Sequence, residues 1–104
     1  MNHPVGALTD TVHQRVRLGI LSVLAESRRA DFGYLRDALE VTDGNLSKHL
    51  QVLESAGYIV IEKTFEDRRP RTWIALTKAG RDAFAGELAA LRALLDRVTP
   101  RGRR

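Results

Sequence analysis

The chain has 104 residues, of which 43% are hydrophobic, and this length allows one domain with one modest core. Its 17 Lys and Arg outnumber the 13 Asp and Glu, and the formal net charge of +4 favours either an acidic partner such as nucleic acid or a basic surface that only maintains solubility. The absence of Cys and the scattered positions of the 3 His exclude thiolate and zinc sites, and no apolar run approaches the ~20 residues of a membrane span.

The N-terminal part of the chain predicts a flexible lead followed by a helix. Residues 1–10 are interpreted as a flexible N-terminus, and Thr11 with Gln14 three positions later resembles a capping box. Apolar residues then recur at helical spacing over about 12–26 and occupy more than one side of the helix. Gly19 inside this helix indicates a position where another helix approaches closely.

A helix-turn-helix is predicted over about 33–57. Apolar residues spaced three and four indicate a short helix over about 33–40, and a tight connection leads to Thr42, a residue that favours helix N-cap positions. The next apolar residues form one face of a helix that ends at Gly57: Leu46, Leu50, Leu53 and Ala56. Two helices separated by a tight turn, the second capped by Thr, are typical of this motif.

The opposite face of the second of these helices differs from an ordinary water-facing surface. Its side chains are mostly short, form hydrogen bonds and carry little negative charge: Gly44, Asn45, Ser47, Lys48, Gln51, Val52 and Ser55. Such a surface suits close approach to a partner. The alternative is a solvated face on an ordinary helical domain.

Beyond the helix-turn-helix the apolar period changes from helical to alternating. Residues 58–65 and 71–76 are β-branched and aromatic and predict two strands, joined by a charged loop with Pro over 66–70. They form a β-hairpin with an extended tip, and Phe65 and Trp73 are interpreted as part of its core.

A long last helix is predicted over about 78–98, with Thr77 as its cap. Its apolar residues are spaced four, three, four and three, as in a heptad seam: Phe84, Leu88, Leu91, Leu95 and Val98. Pro100 ends the helix, and residues 99–104 are interpreted as a basic tail. The seam can mediate dimerisation, or it can pack within the protomer against the first helix.

This element order, with the domain over 11–98, is that of a winged helix-turn-helix, an α+β and mainly helical fold with a two-stranded hairpin wing over about 58–76. Four segments carry a family resemblance: LGILSVLA, FGYLRDAL, VTDGNLSKHLQVLESAGYI and RRPRTWIALTKAGRDAF. The chain is similar to the small bacterial and archaeal winged-helix transcriptional regulators related to the MarR and ArsR families. The resemblance covers roughly residues 12–96.

The resemblance implies that the chain binds double-stranded DNA and that the second helix of the motif lies in the major groove. The side chains expected to contact DNA are Thr42, Asn45, Ser47, Lys48, His49 and Gln51. Asn45 and Gln51 can pair with adenine and Lys48 with guanine. Thr42 at the helix start can hold a phosphate, and His49 at the flank either contacts the DNA backbone or packs at the edge of the core.

The hairpin is expected to act as the wing, with Arg68, Arg69 and Arg71 at a narrow minor groove or at flanking phosphates. Glu66 and Asp67 oppose this interpretation because they repel DNA locally, unless they orient the neighbouring Arg side chains. The alternative is a charged loop that only keeps the edge of the sheet soluble.

The resemblance also implies a homodimer, and the first and last helices carry more apolar surface than a monomer of this size easily buries. The residues expected at the dimer interface are Val16, Val23, Phe84, Leu88, Leu91 and Leu95. A small organic effector, bound where the helices of the dimer meet, is compatible with the resemblance. A metal sensor is not expected without Cys or clustered His.

The resulting hypothesis is a cytoplasmic, sequence-specific transcriptional regulator, a repressor as is usual in the families it resembles, that acts as a homodimer on an inverted repeat. It needs no cofactor, and no Ser/His/Asp arrangement or glycine-rich phosphate loop indicates an enzyme. Two alternatives remain open. One is a winged helix used for protein–protein contact, and the other is a nucleic-acid-binding protein without sequence preference.

Overall fold

The order of helices and strands expected from the sequence is observed in the computed structural model, which describes residues 3–99. The helices are α1 (Arg15–Ala25), α2 (Phe32–Leu39), α3 (Asp43–Ser55) and α4 (Lys78–Val98), and the strands are β1 (Ala30–Asp31), β2 (Ile59–Glu66) and β3 (Arg69–Leu76). The strands form one antiparallel sheet in the order β1-β3-β2. The fold is therefore the mainly helical winged helix-turn-helix, with the two-residue strand β1 as an addition that the sequence did not reveal.

Helices α2, α3 and α4 each begin where a capping side chain precedes the first turn. Asp31, Thr42 and Thr77 accept the backbone N–H three residues further on, at 2.7, 3.1 and 2.9 Å. Each cap satisfies one of the first-turn N–H groups that have no partner inside the helix. The predicted starts at Thr42 and Thr77 are thus confirmed, and Asp31 fixes the start of α2.

The start of α1 differs from the prediction. The helix begins at Arg15, and its N-cap is Gln14, whose side chain accepts the N–H of Arg17 at 2.9 Å. The predicted capping box at Thr11 is therefore wrong. The residues between Asp10 and Gln14 form turns, because the chain here bends towards α4 instead of continuing as a helix.

The described part of the N-terminus is also more ordered than a flexible lead. A 3₁₀ turn at Pro4–Ala7 contacts α4. Beyond it, the Thr9 N–H and His13 Nδ1 lie 3.4 and 2.7 Å from the carboxylate oxygens of Glu87, whose side chain is buried. A buried carboxylate requires polar partners, and the N-terminal segment supplies them. The basic tail predicted from the sequence lies, apart from Thr99, outside the described residues.

Helix α1 is the centre of the core. It contacts α2, α3, α4 and β3, so apolar residues on more than one of its sides are buried inside the protomer. Gly19 confirms the expected close approach, because a Cβ there would lie 2.8 Å from Cδ2 of Leu39 in α2. The fully or nearly buried core residues are Val12, Val16, Ile20, Leu21, Leu24, Ala30, Leu35, Leu46, Leu50, Leu53, Ile59 and Ile74. Within residues 3–99, none of the helices has the length and apolarity needed to cross a membrane.

The end of α3 is joined to the start of α4 through main-chain atoms. Gly57 has a φ of 81°, and the Tyr58 N–H reaches back to the Leu53 carbonyl at 3.0 Å, which is the Schellman pattern of a helix end. The Tyr58 carbonyl then accepts the N–H of Thr77 at 3.0 Å. Gly80 is buried against the same carbonyl, and a Cβ at this position would collide with it.

The hairpin is tighter than the sequence suggested. Asp67 and Arg68 alone form its turn, and both have positive φ, 51° and 65°, as in the type I′ turns that match the twist of two-residue hairpins. Pro70 lies inside β3 opposite Phe65 instead of in a loop. Proline is accommodated there because β1 pairs with β3 only at Trp73 and Ile74, which leaves the β1 side of β3 unpaired at Pro70.

A substitution at the joint between α3 and α4 tests its importance. Gly80→Ala places a methyl group against the Tyr58 backbone, and since backbone cannot rotate away, we expect a destabilisation of at least ~1–3 kcal/mol. Gly86→Ala in the same helix is the control, because a Cβ there meets nothing within 4 Å and alanine should stabilise the helix by up to ~1 kcal/mol. Urea unfolding of both variants measures the difference in their free energies of unfolding. Equal stabilities would contradict the importance of the close packing between Gly80 and the Tyr58 backbone.

Candidate nucleic-acid interface

Helix α3 presents to solvent the face that the sequence singled out. Its apolar side is held in the core by Leu46, Leu50 and Leu53. The residues of the opposite side are exposed: Gly44, Asn45, Ser47, Lys48, Gln51, Val52 and Ser55. Because the helix is fixed by one side only, these side chains project from a rigid element and remain free to meet a partner. We call them the reading face.

The first turn of α3 combines a capped helix end with an acid, Asp43, that is paired with an Arg. The Thr42 Oγ1 accepts the Asn45 N–H at 3.1 Å, which leaves the hydroxyl proton for another acceptor. Asp43 is exposed beside it, but its carboxylate lies 3.1 Å from the Arg36 Nη1 of α2. The pairing reduces the repulsion that this acid would exert on an anion at the positive end of the helix.

A groove of about 550 Å³ runs between the reading face and the hairpin. Its lining comes from α2, α3 and both long strands: Phe32, Gly44, Ser47, Lys48, Leu50, Gln51, Ile61, Lys63 and Thr72. Lys63 was not selected from the sequence, although it is two residues after Ile61 and therefore on the same face of β2. Lys48 and Lys63 give the groove positive charge from two separate elements.

The three wing arginines are in different situations. Arg68 lies in the turn and Arg69 begins β3; both are exposed, and neither forms an ion pair within residues 3–99. Arg71 instead contacts Asp31 at 2.8 Å and Glu66 at 3.5 Å. Arg71 therefore links the hairpin to the start of α2. The guanidinium groups of Arg68 and Arg69 remain available to a binding partner.

Glu66, an acid within the basic wing, has a structural role. Its Oε2 accepts hydrogen bonds from Trp73 Nε1 at 3.0 Å and from Thr64 Oγ1 at 2.8 Å. These bonds, followed by the charges of Arg71 and Arg29, hold the pKa of Glu66 below its usual range. The carboxylate thus braces the two strands, and the expectation that it orients a neighbouring Arg is supported by its contact with Arg71.

The two aromatic residues predicted for the hairpin core differ in their surroundings. Trp73 is half-buried, and the guanidinium of Arg29 stacks 3.7 Å from its ring centroid, in agreement with a structural role. Phe65 is 73% exposed, so its assignment to the core is wrong. Phe65 lies on the same face of β2 as Ile61, but the core ends before the strand does.

His49 is half-buried at the flank of α3 and is held by a residue of α1. Its Nδ1 lies 3.0 Å from Nη1 of Arg17, whose other donors reach the carbonyls of Asp10 and Thr11. Because Arg only donates, Nδ1 accepts and the proton of the neutral ring resides on Nε2. Burial, and then the charges of Arg17 and Lys48, lower the pKa of His49 below its usual value.

Comparisons with known proteins agree with this geometry. A sequence model of the family described as "Winged helix DNA-binding domain" matches residues 16–95. The chain belongs to this family. A family of DNA-binding regulators is consistent with the expectation that the chain is not an enzyme.

Several relatives refine the assignment. The structure of a transcriptional regulator homologue from Pyrococcus horikoshii has a TM-score of 0.87 and 32% identity, and the match covers 96% of this chain and 100% of that one. Sco3205 of Streptomyces coelicolor, a MarR family transcriptional regulator solved in complex with DNA, has a TM-score of 0.68 and 31% identity over 94% of this chain and 68% of its own. An uncharacterized protein of Methanocaldococcus jannaschii is 41% identical over 69 residues, which are 66% of this chain and 75% of that protein. The chain is thus a winged helix DNA-binding regulator of the MarR type, while the relation to ArsR proteins stays a prediction.

The lowered pKa of His49 predicts a pH dependence of stability. The unfolded chain binds a proton at His49 at a higher pH than the folded chain does, so stability should be lost as the pH falls through about 6.5. His49→Gln keeps an acceptor for Arg17 but cannot titrate, and it should lack this component. Melting temperatures of both proteins between about pH 8 and about pH 5.5 measure the difference; parallel curves would show that His49 contributes nothing.

Proposed function

We propose that the protein is a sequence-specific transcriptional regulator, a repressor that binds double-stranded DNA as a homodimer. The observation that carries the proposal is the reading face of α3, which is exposed on a rigid helix, contains Lys48 and faces Lys63 of β2 across a groove. A helix about 10–12 Å wide with its side chains fits the major groove of B-DNA. Such a protein acts at the chromosome, and we assign it to the cytoplasm as a nucleoid-associated protein.

The reading face contains side chains suited to base edges. Asn45 and Gln51 offer the donor and acceptor pair that matches adenine, and Lys48 can reach guanine. Val52 is exposed beside them and offers apolar contact to a thymine methyl group. Ser47 can bond to either type of base, so the face provides discrimination at several positions.

Contacts to the DNA backbone surround these base contacts. Thr42 offers its hydroxyl proton, and His49 offers Nε2–H from a ring whose orientation Arg17 fixes. Arg68 and Arg69 would meet phosphates or the minor groove beside the reading face. Since Arg71 already contacts two carboxylates, we assign it a smaller share of DNA affinity than its two neighbours.

The solved complex of a relative supports DNA as the partner. Sco3205, 31% identical to this chain, was solved in complex with DNA. Two rival functions make different predictions. A protein without sequence preference should bind a random duplex almost as well as a selected one, and a protein-contact module should bind neither. A regulator should prefer its site by ~10³ or more.

The proposed dimer uses α4. Leu88, Leu95 and Val98 are 43%, 60% and 72% exposed, which leaves a line of apolar side chains without cover along the outer part of the helix. Phe84 and Leu91 are half-buried and can add their exposed edges. Burial of these side chains against a second copy would recover the hydrophobic free energy that the protomer alone forgoes.

Helix α1 offers less surface to the proposed interface than expected. Val16 is 4% exposed and belongs to the protomer core, so the proposed dimer does not use it. Val23 is half-buried and packs against the same core. The apolar surplus that the sequence suggested on this helix is used internally by its contacts on several sides. An effector bound where the helices of the dimer meet stays a prediction.

Sequence recognition by the reading face can be measured once genomic fragments bound by the protein have been selected and footprinted. Gln51→Ala and Asn45→Ala should each weaken binding to the selected site by ~1–3 kcal/mol and relax the preferred base at one position. Ser22→Ala, an exposed polar residue of α1, is the control and should bind as the parent does. Unchanged affinity and base preference in both reading-face variants would show that α3 does not recognise the bases.

Assembly can be tested at a residue that the protomer does not need. Leu95→Asp should leave the fold intact because the side chain is exposed, yet it would bury an unpaired charge in the dimer and cost several kcal/mol of association. Ala89→Asp, on another side of α4, is the control. Sedimentation equilibrium should show a monomer only for Leu95→Asp, which should also lose affinity for an inverted repeat with half-sites about 10–10.5 bp apart or a multiple of that. A monomeric parent that still protects a two-fold site would contradict the proposal.

A further inference from the structure

The tip of the hairpin exposes an apolar side chain that the fold does not use. Phe65 is the most exposed large hydrophobic residue within residues 3–99, at 73%. A buried Phe contributes strongly to stability, whereas one in water contributes little. Its neighbour across the strands, Pro70, is also exposed. The two residues form an apolar pair at the end of the wing, which we call the wing-tip pair.

The strand register places the wing-tip pair on the face that borders the groove. Ile61 pairs with Ile74, Lys63 with Thr72, and Phe65 with Pro70. Side chains two residues apart lie on the same face of a strand, so all three pairs share one face. The first pair touches the core, the second lines the groove beside α3, and the third continues the same face beyond it.

The tip that carries this pair is rigid. Its turn has only two residues, and Glu66 accepts a hydrogen bond of 2.8 Å from Thr64 in its own strand and one of 3.0 Å from Trp73 across the hairpin. Pro70 pairs with Phe65 across the hairpin, and its ring fixes the backbone φ angle at this position. Phe65 is therefore presented on a braced support, and little backbone conformational entropy remains to be lost when it enters a binding site.

The charges around the pair select the kind of partner. Lys63 precedes Phe65 on the same face, and Arg68 and Arg69 follow it at the turn. These three cations outnumber the two acids of the tip, Glu66 and Asp67, and Glu66 is paired with Arg71. An apolar protein partner or a second copy of this chain would have to accept these cations. A DNA duplex instead offers phosphates to the cations and, between them, apolar sugar and base surfaces in the minor groove.

We propose that Phe65, supported by Pro70, enters the minor groove as a wedge that partly unstacks one base step and bends the duplex. The inference deepens the proposed function and rests on it. It adds a determinant of specificity, because a flexible pyrimidine–purine step is unstacked more easily than a stiff A-tract. The operator should therefore contain such a step at each wing position, outside the bases that α3 reads.

The test compares Phe65→Ala with two matched variants on the selected operator. Val60→Ala removes another exposed apolar side chain, 53% exposed, from the opposite face of β2. Arg69→Ala removes a cation from the same tip. Affinity, its salt dependence, the bend angle from energy transfer between duplex ends, and the fluorescence of 2-aminopurine at the wing step are measured for each.

Phe65→Ala should bind the operator about 10-fold more weakly, show a smaller bend and lose the rise in 2-aminopurine fluorescence. Its salt dependence should equal that of the parent, because no charge is removed. Arg69→Ala should instead flatten the slope of log K against log salt by about 0.9 for each phosphate that the variant no longer neutralises. Val60→Ala should match the parent in all measurements.

Parental affinity, bend and fluorescence in Phe65→Ala would overturn the wedge while leaving the proposed function intact. Weaker binding without a change of bend or fluorescence would also overturn it, since Phe65 would then only cover sugar surfaces. A change of oligomeric state in Phe65→Ala would overturn it as well and would assign the residue to contact between copies. If the parent prefers no site over random duplex, the proposed function fails, and the inference fails with it.

Discussion

The relative positions of α3, the hairpin and α4 depend on the backbone carbonyl of Tyr58. It accepts the Thr77 N–H at 3.0 Å, and Gly80 packs against it with no room for a Cβ. Tyr58 also closes the C-terminal motif of α3, and β2 begins at the next residue. Three elements therefore meet through main-chain atoms, whose positions do not change with side-chain rotamers.

This joint has a consequence for the proposed dimer. If α4 carries the contact with a second copy, the direction of α4 relative to α3 determines where the second reading face lies. The joint, and not the apolar line on α4, then sets the spacing between half-sites. Leu88 and Leu95 would supply affinity between protomers, while Gly80 and Tyr58 would supply the geometry. Altered residues at the joint could change operator spacing without any contact to DNA.

Much of the fold could be predicted from local chemistry. Thr42 and Thr77 cap helices, and Gly57 ends one, because the physics that favours them acts within a few residues. The apolar spacing of α3 likewise identified which side of this helix is buried and which side is exposed. The missed features depend on contacts distant in sequence: β1 forms by pairing with β3, and the N-terminal segment is ordered by Glu87, 74 residues beyond His13. For the same reason neither the pairing of Arg71 nor the exposure of Phe65 could be inferred from the pattern.

The distribution of charge matters more for the interface than the net value of +4. Asp43 is paired with Arg36, and Asp31 and Glu66 share Arg71, so these three acids are engaged within the fold. Hydrogen bonds lower the pKa of both Asp31 and Glu66. Asp31 accepts them from the Tyr34 N–H and then from Arg71. Glu66 accepts them from Trp73 and then from Thr64. Both therefore stay ionised at neutral pH, and the stability they contribute is lost only when acid protonates them.

The cations left available are those of α3, the groove and the wing tip: Lys48, Lys63, Arg68 and Arg69. Acids that would repel DNA as free charges instead hold the hairpin and the start of α3 in the positions from which these cations can act.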